Sequence, residues 1–547
     1  MLTAAAIIVR LASASLRGFY LGFDESMYII LGRNLLSGHG YTLNDLPNAT
    51  FPFLISIFSG AADMVWGPRW ALSIPSAVLG GAALIPLYLI ARRMSSKTVA
   101  FAAALVFVGY PPLMRLTPFL SYARLVYEGS EQIYLFFFLF AAYFVWCAGS
   151  EGRWRDYILA GVFCGLASEV RQDAIMYGAL AFLWLAGVAV ARRQWKALPR
   201  VGAFAAAALI LALPFVVHVR MVTGMWGTGP RFAKTFLMRD TFTPVMEKNQ
   251  WKAALASYFQ LNEDGTELET SYYGVSPWHR QRLAEGYEHV GAREALLGLR
   301  PGNLAIAWVG FHKWIAPNRF ALLALLGIVA ACISDRRWLI LTFLLTLIVP
   351  ALVTAMLLYP LMRFWMFLAP FVALFFAWGL VCACELVARH IRRARDTSAI
   401  VALILAGVVA LAGAWTGIRS QRITAGRDSF DRAAEILQKN GGDWLAANTL
   451  PNARVMATSP QATLMAGRAW LALPISDGAH ILKYALLKRA DYIVRTVSGP
   501  EDNPSELAPA LDTILSTQTQ GYHVRLYIYD LHKLTSPAPP QGDEHGR

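Results

Sequence analysis

The sequence predicts a mainly α protein: a polytopic bundle of transmembrane helices with interfacial helices and a small extracytoplasmic α/β domain at its C-terminus. Three observations predict it. Of the 547 residues, 56% are hydrophobic and 15% charged, with a mean hydropathy of +0.44, which is more apolar than soluble domains are. The apolar residues come in runs close to the roughly 20 residues a helix needs to cross about 30 Å of hydrocarbon. The basic residues fall in alternate connections between those runs.

About eleven runs qualify, near 2–21, 70–91, 98–117, 131–148, 157–170, 174–191, 201–221, 319–333, 338–358, 364–387 and 398–418. Arg92, Arg93 and Lys97, then Arg153 and Arg155, then Arg192, Arg193, Lys196 and Arg200, then Arg336 and Arg337, then Arg389, Arg392, Arg393 and Arg395 lie in every second loop. This is the positive-inside pattern, and it places those loops in the cytoplasm. The formal charge of +14 therefore reflects topology rather than a nucleic-acid partner. Asp24, the loop around Arg124, residues 222–318 and the C-terminal region then face outward. Cys147, Cys164, Cys332, Cys382 and Cys384 sit in or beside the runs and read as small buried hydrophobes, not disulfide partners.

At the N-terminus, Ala12-Ser13-Ala14 resembles a cleavage site but lacks a preceding basic region, so a retained first span is expected. Arg10 then falls near mid-membrane, at about 2.5–3.5 kcal/mol. It must face the bundle interior, unless the true start lies upstream. The first outward loop, 18–69, opens with Gly22-Phe23-Asp24-Glu25-Ser26-Met27-Tyr28. Met27, Leu31 and Leu35 recur one turn apart, which predicts an interfacial helix over 25–37, ended by Gly38-His39-Gly40. Asp24 stands at its mouth. Asp is also a good N-cap and Glu a good first-turn residue, so capping alone accounts for the pair. Asn48-Ala49-Thr50 matches a glycan-acceptor pattern, although nothing in the composition calls for its use.

The second outward loop carries Arg124 and Glu128, four apart and able to pair on a helix face, and ends in Ser130-Glu131. The fifth and sixth runs meet at Ser168-Glu169-Val170-Arg171-Gln172-Asp173, three charges where a hairpin needs only polarity. In the long loop 222–318, aromatics such as those of Tyr272-Tyr273-Gly274 read first as membrane-belt anchors. Residues 292–314 are expected to form an interfacial helix, with His312 and Lys313 available to a surface phosphate. Tyr359-Pro360-Leu361-Met362-Arg363 gives one more outward arginine. Because the topology bias disfavours cations on this side, Arg124, Arg171 and Arg363 call for an anionic partner.

After the last run the pattern alternates: helix 428–447, strand 454–458, helix 479–489, and strands 491–497 and 522–529. This is an α/β arrangement with a mostly parallel sheet. The expected organisation is a membrane domain over 1–418, an outer α/β domain over 419–533, and a Pro-rich disordered tail over 534–547.

An outward carboxylate, an interfacial helix and arginines at one membrane level suit a lipid-phosphate substrate. Sugar transfer from a polyprenyl phosphate needs a base for the acceptor hydroxyl, cations for the departing phosphate and an apolar groove for the lipid. At this point the chain resembles the GT-C superfamily of integral-membrane glycosyltransferases, in particular the bacterial branch related to protein O-mannosyltransferases and aminoarabinose transferases. Asp24-Glu25-x-x-Tyr28 followed by Leu35-Leu36-Ser37-Gly38-His39-Gly40-Tyr41 is similar to that family's first-loop signature. Ser130-Glu131-Gln132-Ile133-Tyr134 resembles its second-loop acidic position, and Gly165–Asp173 its arginine-acid turn.

The resemblance implies an inverting glycosyltransferase that uses a polyprenyl-phosphate sugar. It casts Asp24 as general base or acceptor-orienting carboxylate, with Glu25 and Tyr28 in support and Glu131 at the second acidic position. Arg124, Arg171 and Arg363 become the phosphate partners. Some relatives carry a lysine before a double proline in the first loop; here Thr50-Phe51-Pro52-Phe53 has neither, so the phosphate falls to an arginine, to Lys313 or to a divalent metal. The acceptor is a glycan, lipid or protein. The expected location is a bacterial inner membrane, with the site facing the periplasm.

Two other classes fit parts of the pattern. A flippase for lipid-linked sugars would use the same arginines without breaking a bond, but the sequence shows none of the internal repeats typical of transporters. A polymerase or oligosaccharyltransferase would use a diphosphate-linked glycan; the Trp-Trp-Asp-Tyr-Gly box of the latter is absent.

Overall fold

In the computed structural model, residues 1–16, 23–109, 130–227, 229, 258–286, 290, 297–311, 318–357, 362–390, 395–426, 430–498, 506–519 and 522–535 are described. Within the described residues, each of the eleven apolar runs falls on a helix. Among the described residues, seven helical segments are long and apolar enough to cross a membrane: Ser73–Met94, Ser130–Glu151, Ala174–Ala191, Trp195–Thr223, Arg337–Leu357, Trp365–His390 and Thr397–Thr416. Shorter apolar helices include α1 (Leu2–Leu16), Lys97–Gly109 and Asn318–Cys332. Leu209, Leu322 and Leu411 point outward and exposed, as lipid-facing side chains do. The chain is a multi-pass membrane protein.

Small residues set the closest helix approaches. A Cβ added at Gly379 would lie 1.8 Å from the Leu323 carbonyl oxygen, and one at Gly327 would lie 1.9 Å from that of Phe375. Backbone-to-backbone packing of this kind is how helices associate where lipid removes the hydrophobic drive.

The first loop differs most from expectation. The predicted interfacial helix is present as α2 (Phe23–Leu36), but Glu25 to Leu31 are buried except for Ile30, so it does not present one wet face. Its cover is α3 (Phe53–Trp66), a helix within what reads as loop. Gly32 of α2 and Gly60 of α3 form the crossing, where a Cβ on Gly32 would meet the Ser56 carbonyl oxygen at 1.9 Å. Arg33 then reaches Asp63 at 2.7 Å. Ser56, Ser59, Gly60 and Asp63 break the apolar run that would have announced α3, and all four are buried against α2 or its neighbours.

Between α2 and α3, strands β1 (Thr42–Leu43) and β2 (Leu46–Pro47) form a hairpin. Asn44 and Asp45 turn it with φ of 55° and 62°, the doubly left-handed geometry that two-residue hairpins favour.

The C-terminal region contains a five-stranded sheet, β3 (Arg454–Ala457), β4 (Ala469–Ala472), β5 (Tyr492–Ser498), β6 (Leu511–Thr519) and β7 (Tyr522–Asp530), in the order β4-β3-β5-β7-β6. The sheet is mixed rather than mostly parallel: β3 pairs in parallel with β4 and β5, whereas β7 runs antiparallel to β5 and β6. The unforeseen β6 is an edge strand whose polar alternation, Asp512, Thr513, Ser516, Thr517, Gln518, hides its pattern. Helices Phe430–Asn448 and Gly478–Leu487 accompany the sheet close to where the sequence places them. The hairpin tip docks here: the Asn44 Oδ1 accepts the Ala472 N–H at 3.0 Å, and Asp45 pairs with Arg454. The expected disordered tail lies outside the described residues from 536 onward.

Candidate active site

The N-terminal turn of α2 carries Asp24, half-buried, and Glu25, 3% exposed. The Tyr272 hydroxyl donates to Asp24 Oδ1 at 3.1 Å. Tyr272 lies in a single 3-10 turn, Ser271–Tyr273, whose N-cap Thr270 accepts the Tyr272 N–H through its side chain. Aromatic edges enclose the pair: Tyr272 packs on Phe51 at 5.3 Å and on Tyr258 at 5.2 Å, and Phe23 packs on Phe259 and Tyr273, each at 6.1 Å. Tyr28, 2% exposed, sits edge-on to Phe51 at 5.1 Å as part of the same wall. The belt-anchor reading therefore does not hold for Tyr272 and Tyr273: Tyr273 is 1% exposed, and both pack against the first loop, with Tyr273 also edge-on to Trp470.

The long loop is bonded to the first loop at Tyr272 and Val275. The Tyr272 carbonyl accepts from Asn48 Nδ2 at 3.0 Å and from Thr50 Oγ1 at 3.1 Å, and the Val275 N–H reaches the Pro47 oxygen at 2.8 Å. Asn48 is wholly buried, its Oδ1 accepting from the Thr50 and Phe51 N–H groups and its backbone oxygen meeting His218 Nε2 at 2.8 Å. This occupied amide is closed to glycosylation despite its acceptor pattern.

A second charged cluster forms at the turn 169–173. Arg171 Nη1 meets Glu131 Oε1 at 3.0 Å, while its Nε and Nη2 straddle Asp173 at 3.1 and 3.2 Å. Its guanidinium lies 5.7 Å over the Tyr134 ring. The fork geometry suits a carboxylate bidentately. Both carboxylates compete with a phosphate for Arg171.

Thr50 links the two clusters. Its side chain holds the Tyr272 carbonyl, and its own carbonyl accepts from Gln172 Nε2 at 3.3 Å. One turn along, the Leu54 N–H donates to the Glu169 oxygen at 3.0 Å. The structure thus joins Asp24, Glu25 and Tyr28 to Arg171 and Glu131 through one short segment, 48–54.

Arg124 and Lys313 lie outside the described residues. Arg363 lies in the 3-10 segment Met362–Leu368, its side chain outside what is described. Among the described residues, no three His, Cys, Asp or Glu side chains are grouped to hold a metal. Sequence reading missed Tyr272 and Thr50 as site members; the one local signal was the paired tyrosines before Gly274, whose φ of 147° lets the loop press against Leu46.

Behind this wall, Ser276 caps the helix Pro277–Ala284 in a capping box with His279, whose Nδ1 lies 2.8 Å from the serine hydroxyl. Burial, aided by the nearby Lys488, pushes His279 down to about 4 despite carbonyls that favour its charged form.

With this geometry in place, the chain can be compared with known proteins. Residues 51–218 match the family model of dolichyl-phosphate-mannose-protein mannosyltransferases. The structure of ArnT from Cupriavidus metallidurans bound to undecaprenyl phosphate superposes with a TM-score of 0.56 at 13% identity, covering 99% of this chain and 98% of that one. The chain has the GT-C glycosyltransferase fold. The same GT-C architecture relates it to the oligosaccharyltransferase of Archaeoglobus fulgidus, with a TM-score of 0.53 and 13% identity over 90% of this chain and 69% of that one. A complex of that organism's AglB with an inhibitory peptide and a dolichol-phosphate gives 0.52, at the same identity and coverage. No curated protein sequence matches the chain.

Proposed function

We propose that this protein is a glycosyltransferase that moves a single sugar from a polyprenyl-phosphate donor to an acceptor outside the cytoplasm, with inversion at the anomeric carbon. The observation that carries the reading is the Asp24 carboxylate, held by Tyr272 at the mouth of a helix in a GT-C fold. Asp24 takes the proton of the acceptor hydroxyl. The acceptor oxygen then bonds to the anomeric carbon as the bond from that carbon to the phosphate oxygen breaks. The electron pair leaves with the polyprenyl phosphate.

Tyr272 fixes the plane of the carboxylate, while Glu25 and Tyr28 support the turn that presents it. Arg124, Arg363 and Lys313 are assigned to the departing phosphate. Arg171 is assigned to holding Glu131 and Asp173 in place for sugar hydroxyls, since its guanidinium is engaged by both acids. On this reading residues 1–418 are the membrane catalytic domain, 419–533 lie outside it and guide acceptor choice, and the site faces the periplasm from a bacterial inner membrane. The ligand-bound relatives, with undecaprenyl phosphate in one and dolichol-phosphate in the other, support a lipid-phosphate carrier here.

The test is transfer from a labelled polyprenyl-phosphate sugar by the purified chain. Asp24→Asn should lower the rate by about 10²–10⁴ while donor binding persists. Movement of the lipid-linked sugar across vesicles by the wild type, with no transfer to any acceptor, would replace this reading by the transport one.

A further inference from the structure

The helix Ser130–Glu151 begins beside the Arg171 cluster and ends, about 30 Å away at 1.5 Å per residue, in a different basic assembly. Its last turn, the connection at Gly152 and the segment Arg192–Arg200 line an open cleft of about 480 Å³. Four cations line it: Arg192, Arg193, Lys196 and Arg200. The one carboxylate there, Glu151, is engaged by Arg93 and by Arg153 at 3.3 Å, so the cleft is left strongly positive.

Two of the arginines are pre-positioned. Arg192 Nη1 donates to the Gly149 oxygen at 2.8 Å, and Arg200 Nη1 donates to the Gly152 oxygen. The Nε of Arg200 is nevertheless buried with no hydrogen-bond partner among the described residues, which costs about 1–3 kcal/mol if left unmet. Arg193 occupies the left-handed position that closes the preceding helix, with φ of 55° and its successor's N–H on the Ala189 oxygen. Glycine is the usual residue there.

Topology signalling requires only that cations be present on this side. It does not require that four of them converge on one cleft. The surroundings point to the occupant: exposed Trp195 lines the cleft, Trp154 lies beneath Arg200 at 5.8 Å, and the helix leading into Arg192 carries exposed Val190. Tryptophan beside arginine, next to aliphatic surface, is the composition of the headgroup layer. We propose that this cleft binds the phosphate of an anionic phospholipid headgroup, with Arg200 and Arg192 as fixed donors and Arg193 and Lys196 as mobile ones.

Native mass spectrometry of the full chain, released from micelles containing phosphatidylglycerol and phosphatidylcholine, tests it. The wild type should retain phosphatidylglycerol in preference to phosphatidylcholine. Arg193→Gln with Lys196→Gln, two exposed positions whose loss leaves the fold intact, should weaken that retention by roughly fivefold per charge. Arg200→Gln should weaken it further, and the charge-conserving pair Arg193→Lys with Lys196→Arg should restore it. Arg337→Gln, which removes a charge outside the cleft, should not change it. Equal retention by the Arg193/Lys196 variant and the wild type would overturn the proposal. So would displacement of phosphatidylglycerol by millimolar inorganic phosphate with no preference between the two lipids, which would mark a site for a soluble anion.

Discussion

The Tyr272 hydroxyl and the Asp24 carboxylate, 248 positions apart in the chain, meet at 3.1 Å. A donor fixed on one carboxylate oxygen sets the direction in which the base presents itself. Tyr272→Phe keeps the ring contacts with Phe51 and Tyr258 and removes the hydroxyl that makes this bond. The turnover rate should fall by about tenfold, in keeping with the roughly 1.5–3 kcal/mol of a hydrogen bond to a charged group. The thermal midpoint and the KM for donor should stay near wild type; a variant with full turnover would remove Tyr272 from the mechanism.

Thr50 acts one step further back, through the carbonyl of Tyr272. Thr50→Val is nearly isosteric and should cost about 1 kcal/mol of stability together with a several-fold loss of turnover. In a double-mutant cycle with Tyr272→Phe the losses in turnover should be less than additive, because both changes act through one group. Full additivity would show that Thr50 works elsewhere.

Arg171 bridges two acids at once, Glu131 and Asp173. Arg171→Met removes the guanidinium shared by Glu131 and Asp173 and should destabilise the protein by about 3–5 kcal/mol, seen as a lowered unfolding midpoint in detergent. Adding Glu131→Gln and Asp173→Asn to it should recover most of the loss while leaving the enzyme inactive. Recovery of activity as well would mean that the cluster is only structural.

His279 makes the long loop sensitive to acid. Its folded value of about 4 lies below the ordinary histidine value of 6.5, so the unfolded chain takes up the proton first. The loop's stability is fully present above about pH 6.5 and declines as the pH falls towards 4, by on the order of 3 kcal/mol. Limited proteolysis between pH 7 and 4.5 should show cleavage within 258–286 rising in the wild type. In His279→Gln the pH dependence should be flatter; an unchanged profile would assign the acid sensitivity to another group.

The helices could be read from the sequence because a lipid-crossing segment must satisfy its backbone internally and expose apolar side chains all round. Asp24 could be read for a related reason, as an acid placed where an apolar run ends. Helix α3 could not, since Ser56, Gly60 and Asp63 serve its contact with α2 and interrupt the hydrophobic period. Tyr272 was equally hidden. Nothing local distinguishes a tyrosine that will bond a carboxylate in another loop from one that will sit at the membrane edge. Strand β6 was missed because an edge strand can satisfy one face with water, and its polar residues then look like a connection.

The seat of Asn44 and Asp45 against Ala472 and Arg454 bears on how this protein can be re-engineered. A graft that replaces residues 430–535 with the equivalent from another enzyme would present a foreign surface to an unchanged hairpin tip. Such chimeras should assemble better when those two hairpin residues travel with the transplanted part, together with the long-loop partners of Ile475 and Lys488.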